Sequence, residues 1–280
     1  MEEKQNTPTF PPATVKKKIA VVGGGPAGLE FALTAASRGH EILLFEKENE
    51  LGGNLKFAAA PPFKSDMRKY LEWLINAVKR NPNVKVKLSV EATPIMVKKE
   101  NPDVVIVAVG SQPYIPEVQG IEKDNVFWAG DVLMGKAHVG EKVVIAGAGL
   151  VGCETALHLS QQGKKVTLID ILSQDEIAQD MPPTNRMALF NLLHQYEVEF
   201  KTEVYLERVM EDGVLLVDKQ WKKLKIPAET IVLALGMKPR SETAEKFTGA
   251  APEVYTIGDC VKPGKLHDAI HQAFNIAVEL

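Results

Sequence analysis

Gly23, Gly25 and Gly28 repeat the spacing of Gly147, Gly149 and Gly152, and an acidic residue, Glu46 or Asp170, follows the first glycine of each set by the same 23 positions. This pattern suits chemistry on phosphate and ribose. In Gly-x-Gly-x-x-Gly the first glycine permits a tight turn, the second lets backbone approach a pyrophosphate, and the third lets the next helix pack closely on its strand. The helix N-terminus then offers unpaired N–H groups and partial positive charge to the phosphates. A carboxylate ending the second strand accepts hydrogen bonds from a ribose. A single copy is a weak signal, because a tight turn that binds nothing looks the same. Two copies with equal spacing predict two dinucleotide sites. Asp170 is followed by Ile171, Leu172 and Ser173, not by an arginine for a 2'-phosphate, which predicts NADH over NADPH.

Other reactive side chains offer little. Cys153 and Cys260 are the two cysteines, and no Cys-x-x-Cys pair exists for zinc, an iron-sulfur cluster or a vicinal disulfide. Cys153 reads as a small buried side chain where the helix meets the sheet, and Cys260, a single thiol far from its one possible partner, is not expected to do redox chemistry. The six histidines show no ligand spacing; His267 and His271, four apart, read as surface or core residues. Redox chemistry would therefore rest on organic cofactors. A net charge of -3 predicts neither nucleic acid nor membrane partners. No apolar run reaches the roughly 18 to 20 residues of a membrane span, and the expected compartment is the cytoplasm.

The glycines need strand-turn-helix units to hold them, and the hydrophobic periodicity supplies two. Residues 18–22 read as a strand, 26–38 as a helix closed by Gly39, and 41–45 as a strand; 142–146, 150–162 and 165–169 repeat the plan, with Gly163 closing the helix. Between and beyond them, a helix is expected at 66–80, strands at 84–88 and 104–109, a hairpin around Gly213 within 203–226, and a last helix at 267–279. Trp128 reads as core, and the Lys-rich 221–225 as the solvated face of a hairpin strand. With 45% hydrophobic residues, 280 positions suffice for two domains.

Near the C-terminus, Val254-Tyr255-Thr256-Ile257-Gly258-Asp259-Cys260 precedes the last helix. Taken alone, Gly-Asp after an apolar strand is a common turn. The string resembles the late flavin motif of the two-dinucleotide-binding-domain flavoproteins, the class of glutathione and thioredoxin reductases. That resemblance implies that Asp259 holds the ribityl chain of FAD and that Gly258 admits the cofactor closely. Ala108-Val109-Gly110 and Ala234-Leu235-Gly236 resemble the Ala-Thr-Gly crossover of the class, with Val109 and Leu235 replacing threonine. Closer still, Leu51-Gly52-Gly53-Asn54-Leu55, Pro61-Pro62-Phe63-Lys64, Asp131-Val132-Leu133 and Asp268-Ala269-Ile270 resemble the C-terminal half of the enoate and dienoyl-CoA reductases related to old yellow enzyme. The resemblance covers nearly everything after Lys16.

It implies an α/β fold of two Rossmann-like βαβ nucleotide-binding domains, the FAD domain interrupted by an inserted NAD domain, with antiparallel crossover strands. The expected boundaries are a flexible tether at 1–16, an FAD domain at 17–115 and 241–280, and an NAD domain at 116–240. Candidate cofactor contacts in the first fold are Gly23, Gly25, Pro26, Ala27, Gly28, Glu46, Lys47, Gly53, Asn54, Leu55, Ala108, Gly110, Gly258, Asp259, Ala269 and Ile270. Those of the inserted fold are Gly147, Gly149, Leu150, Val151, Gly152, Asp170 and Gly236. Hydride passage from NADH to FAD needs no side-chain acid or base, so no catalytic residue is named. The positive end of the last helix, near Asp268, is expected to favour negative charge on a reduced flavin. In the family, electrons continue through an iron-sulfur cluster to FMN in a TIM barrel; these 280 residues resemble the input half alone, so that barrel domain or subunit, or a small acceptor, is the expected partner. Two alternatives remain open: a free-standing reductase of a ferredoxin, quinone or similar acceptor, and a module holding ADP without turnover.

Overall fold

The computed structural model describes residues 11–280. Most of the tether expected at 1–16 lies outside them; in its described part, the Ala13 N–H donates to the Arg38 carbonyl at 2.9 Å.

The first half of the chain forms β1 (Lys18–Val22), α1 (Pro26–Ser37), β2 (Glu41–Phe45), α2 (Leu55–Ala58), α3 (Ser65–Arg80), β3 (Val84–Lys87), α4 (Pro94–Lys99) and β4 (Val104–Val107). A short strand β5 (Ser111–Pro113) leads to β6 (Val126–Trp128), α5 (Ala129–Leu133), β7 (Lys142–Ala146), α6 (Leu150–Gln161), β8 (Lys165–Ile169), α7 (Pro183–Gln195) and β9 (Glu199–Lys201). Then follow β10 (Val204–Met210), β11 (Gly213–Asp218), β12 (Lys223–Pro227), β13 (Thr230–Leu233) and the returning strand β14 (Met237–Pro239), which pairs with β5. The chain ends with α8 (Ser241–Glu245), β15 (Glu253–Thr256) and α9 (Leu266–Glu279). Among the described residues, no helix is long and apolar enough to cross a membrane.

Two compact units result. One comprises the described residues up to Lys56, with Asp66–Gln112 and Lys238–Leu280; the other comprises Phe57–Ser65 and Pro113–Met237. Chain order puts 57–65 within the stretch 17–115, but in space they join the second unit. There Phe57 meets the edge of Trp128, with ring centroids 4.7 Å apart.

Each unit is built on a five-stranded parallel sheet, ordered β15-β4-β1-β2-β3 in the first and β6-β13-β7-β8-β9 in the second. Strands such as Lys18–Val22 are apolar almost throughout because both faces of a parallel sheet are covered. In β1, Ile19 and Val21 pack with Leu29 and Phe31 of α1, whereas Ala20 and Val22 pack with Val97 of α4 and Phe247. In β7, Val143 and Ile145 pack with Ala156 and Leu157 of α6. Val144 and Ala146 face Val214, Leu216 and Ile226 of the antiparallel sheet β10-β11-β12.

That antiparallel sheet corrects the expected hairpin. Gly213, at φ +148°, starts the second strand, and a further turn before Lys223 carries Trp221 at φ +63°. The lysines there are solvated as expected, and Lys219, Lys223 and Lys225 pair with Glu203, Glu207 and Asp212 at 2.6 to 2.8 Å. Trp128 is half-buried; its ring fills the space a Cβ at Gly130 would need.

Candidate functional site

In the first unit the turn from β1 into α1 carries Gly23, Gly25 and Gly28. Gly23 has φ +109°, and a Cβ there would overlap the Ala108 carbonyl; a Cβ on Gly28 would overlap the carbonyl of Gly23. The fold itself demands those two. Gly25 differs: its φ is -78°, open to any residue, and the nearest atom to a Cβ there is Gly53 Cα at 3.9 Å. The fold itself does not demand a glycine at that position. The roof over it is the segment from Leu51 to Asn54, whose Gly52 N–H donates to the Gly24 carbonyl at 2.8 Å.

Glu46 is buried at the end of β2 and accepts from the Gly24 N–H at 2.7 Å and the Glu48 N–H at 2.9 Å. The acid expected at a ribose thus also braces the glycine turn, and its oxygens keep lone pairs for hydroxyl donors. Across the turn, Asp259 accepts from the Ser111 hydroxyl at 2.9 Å and the Gly264 N–H at 3.2 Å. Asn54 donates to Ser111 Oγ at 3.2 Å and to its carbonyl at 3.4 Å. Three distant segments meet in this chain of hydrogen bonds. Gly258, at φ +71°, lies against Ala27, and its N–H donates to Gln272 Oε1 at 2.8 Å.

Other candidates in this unit are placed less directly. Leu55 and Ala108 are buried, Pro26, Ala269 and Ile270 are half-buried, and Gly110 has φ +68° with free space around it. Lys47 is exposed and pairs with Glu48 at 3.7 Å. At the start of α9, Asp268 accepts from the Lys265 N–H at 2.9 Å, and that bond holds its carboxyl below the usual range. The positive helix end expected near a flavin therefore carries an anion that offsets part of its field.

The second unit repeats the turn. Gly147 has φ +100°, a Cβ on it would overlap the Ala234 carbonyl, and one on Gly152 would overlap the Gly147 carbonyl. A Cβ on Gly149, at φ -70°, would meet nothing within 4 Å. Asp170 accepts from the Ala148 N–H at 2.6 Å and the Leu172 N–H at 2.9 Å, and is half-buried. Leu150 is half-buried, Val151 is exposed, and Gly236, at φ +91°, has open space beside it.

Neither thiol is poised for chemistry. Both are fully buried; burial pushes Cys153 up to about 12 and raises Cys260. His267 and His271 are exposed and stack on each other, centroids 3.9 Å apart. Ser111, Gln272 and Arg186 escaped the sequence reading. So did an ion pair between Lys64 and Glu154, in which burial raises the Glu154 carboxyl against the opposing pull of Lys64. Ser111 follows a glycine that ends an apolar strand, a signal that marked the turn but not the partner.

A model of the family described as pyridine nucleotide-disulphide oxidoreductase matches residues 17–273. An NADH oxidase of Thermoanaerobacter brockii is 40% identical over 273 residues, covering 96% of this chain and 42% of that protein. A bilirubin reductase of Mediterraneibacter gnavus is 36% identical over 252 residues, covering 90% and 39%. A solved 2-naphthoyl-CoA reductase complex superposes with a TM-score of 0.90 at 34% identity, over 97% of this chain and 41% of that one. The chain spans about two fifths of the length of these relatives.

Proposed function

The chain belongs to the pyridine nucleotide-disulphide oxidoreductase family, whose members bind FAD and NAD(H), and from that membership we propose that it passes reducing equivalents from NADH to a resident FAD and on to a partner. FAD sits in the first unit and NADH in the second. The observation that carries this assignment is the contrast between Gly25 and Gly149. Both leave room for a pyrophosphate, but Gly25 lies under the backbone of Gly53, whereas Gly149 faces open space. A roofed site retains a cofactor, and an open one exchanges a substrate.

FAD, when bound, accepts hydride from a nicotinamide and releases electrons to a second acceptor. In the first unit the residues that would hold it are the glycine turn, Glu46 at the adenosine ribose, and Asp259 with its partners Ser111 and Asn54. Asp259 is kept in place by the Ser111 hydroxyl and the Gly264 N–H, so its remaining lone pairs point from a fixed carboxylate. In the second unit Gly149 admits the nucleotide's pyrophosphate and Asp170 accepts from its ribose hydroxyls. These residues bind and orient; none has to move a proton.

The relatives carry more than twice this length, and the partner proposed is a domain or subunit with FMN and an iron-sulfur cluster on a barrel. The test starts with the visible spectrum of the purified chain, followed by anaerobic NADH. Yellow protein that NADH bleaches, with electrons passed to artificial dyes and no reduction of enoates, is the expected result. Colourless protein that retains only ADP would overturn the proposal, and enoate reduction by the pure chain would remove the need for a barrel partner.

A further inference from the structure

We propose that Arg186 is a positioning residue for the nicotinamide nucleotide, holding the loop after Asp170 in the shape that receives the adenosine end. The inference rests on the NADH reading of the second unit.

Arg186 lies in the first turn of α7, which follows that loop. Its Nε donates to the Ile177 carbonyl at 3.0 Å, and its Nη2 donates to the carbonyls of Gln174 at 2.8 Å and Asp175 at 3.3 Å. The guanidinium also lies over the Phe190 ring, 4.4 Å from its centroid. Phe190 stacks on Phe200 of β9, and Phe200 pairs in register with Leu168 of β8, two residues before Asp170. One planar cation thus ties the loop to the strand that carries the ribose acid.

The loop is tied at its near end too. Asp170 takes the Leu172 N–H, and the Ser173 N–H and hydroxyl both donate to Glu176. Between these anchors Ile171 and Leu172 stand 52% and 43% exposed. Two apolar side chains held open to water beside a ribose acid offer a flat surface to a base. Without Arg186, the carbonyls of Gln174 and Ile177 would lose their donor, the Asp175 carbonyl would keep only the Gln179 amide, and the loop would open to reach water. A nucleotide would then have to close it on binding, which weakens affinity without touching the hydride-donating end.

The same geometry bears on nucleotide choice. Arg186 and Arg208 are the arginines of the second unit, and Arg186 has committed Nε and Nη2 to backbone. It is not the cation of a 2'-phosphate site.

The test uses the flavin-loaded chain with Arg186→Gln and Arg186→Lys, measuring KM for NADH, kcat, flavin content and melting temperature. For Arg186→Gln, KM should rise about tenfold, as expected for two or three lost donors, with kcat within about twofold and flavin content unchanged. Arg186→Lys should fall between, because an ammonium restores charge without the planar fork. Unchanged KM in both variants, whatever the melting temperature does, would overturn the inference. If the unmodified chain fails to bind NADH, the functional reading falls and takes this inference with it; binding in the unmodified chain with indifferent variants sinks the inference alone.

Discussion

The two glycine turns share one backbone plan and differ in what surrounds them. Gly23 and Gly147 make the same turn, and Gly28 and Gly152 each sit where a side chain would strike the carbonyl of the turn's first glycine. Glu46 and Asp170 take the N–H of the residue between the first two glycines in each turn. Beyond that point the units part. The first turn lies under Leu51 to Asn54, and Gly258, which precedes Asp259 just after β15, the last strand of the chain, lies against Ala27 of α1. In the second sheet the outer strand β6 comes before the glycine turn, and the turn stays open. The same turn can hold a cofactor or release a substrate, and the later segments laid over it make the difference.

The strongest test separates the glycines of one turn. Gly152→Val drives a branched side chain into backbone, so NADH binding should weaken by about a hundredfold, roughly 3 kcal/mol, while the protein stays yellow. Gly149→Ala should leave the melting temperature nearly unchanged and still weaken NADH by about tenfold, because it fills space the fold does not use. Titration of NADH against flavin fluorescence checks both. Loss of flavin in Gly152→Val would break the division of labour between the units.

A smaller effect should divide the two acids. Asp259→Ala should lower FAD retention without shifting KM for NADH. Asp170→Asn should keep the flavin and narrow the preference for NADH over NADPH. That preference is expected at about 10- to 1000-fold in kcat/KM, if like-charge repulsion and a lost hydrogen bond are worth roughly 1 to 2 kcal/mol each. Equal efficiencies with both nucleotides in the unmodified chain would show that Asp170 does not face the ribose.

The smallest effect is a pH dependence confined to the first unit. His40, just before β2, is fully buried, accepts from the Lys17 N–H at Nδ1, and has its pKa lowered by burial and by the Arg38 and Lys17 cations. The equivalent residue before β8 is Lys164, which reaches the Val139 carbonyl. Because the folded value lies below the unfolded one near 6.5, this stability is complete above that pH. It is lost as pH falls through 6.5 toward the folded value. Melting temperatures between neutral and mildly acidic pH should decline in the unmodified chain and flatten in His40→Gln. An unchanged slope would move the acid sensitivity elsewhere.

Local order was readable in advance. The strands 18–22, 41–45, 142–146 and 165–169 match the structure, and the two helices after the glycine turns end one residue earlier than expected. Short apolar strands and glycine turns announce themselves because their causes, burial on both faces of a sheet and backbone sterics, act within a few residues. Helix α7 was missed: it follows Pro182, starts at Pro183 and lacks a strong apolar stripe, and Arg186 went unnoticed with it. The third strand β12 was folded into a hairpin because Lys222, Lys223 and Lys225 mask its pattern.

The sequence by itself determined the α/β plan, the two glycine turns and the acid that follows each at 23 positions. Tertiary structure decided what those turns face. Ser111 meets Asp259 across 148 positions of chain, and Gly53 lies on Gly25. Residues 57–65 leave the unit that flanks them, and Arg186 closes on a loop that starts ten or more residues before it. A glycine turn needs only its own neighbours to form, whereas a roof, a hydrogen-bonded carboxylate or a pinned loop needs segments that only the completed sheets bring within reach.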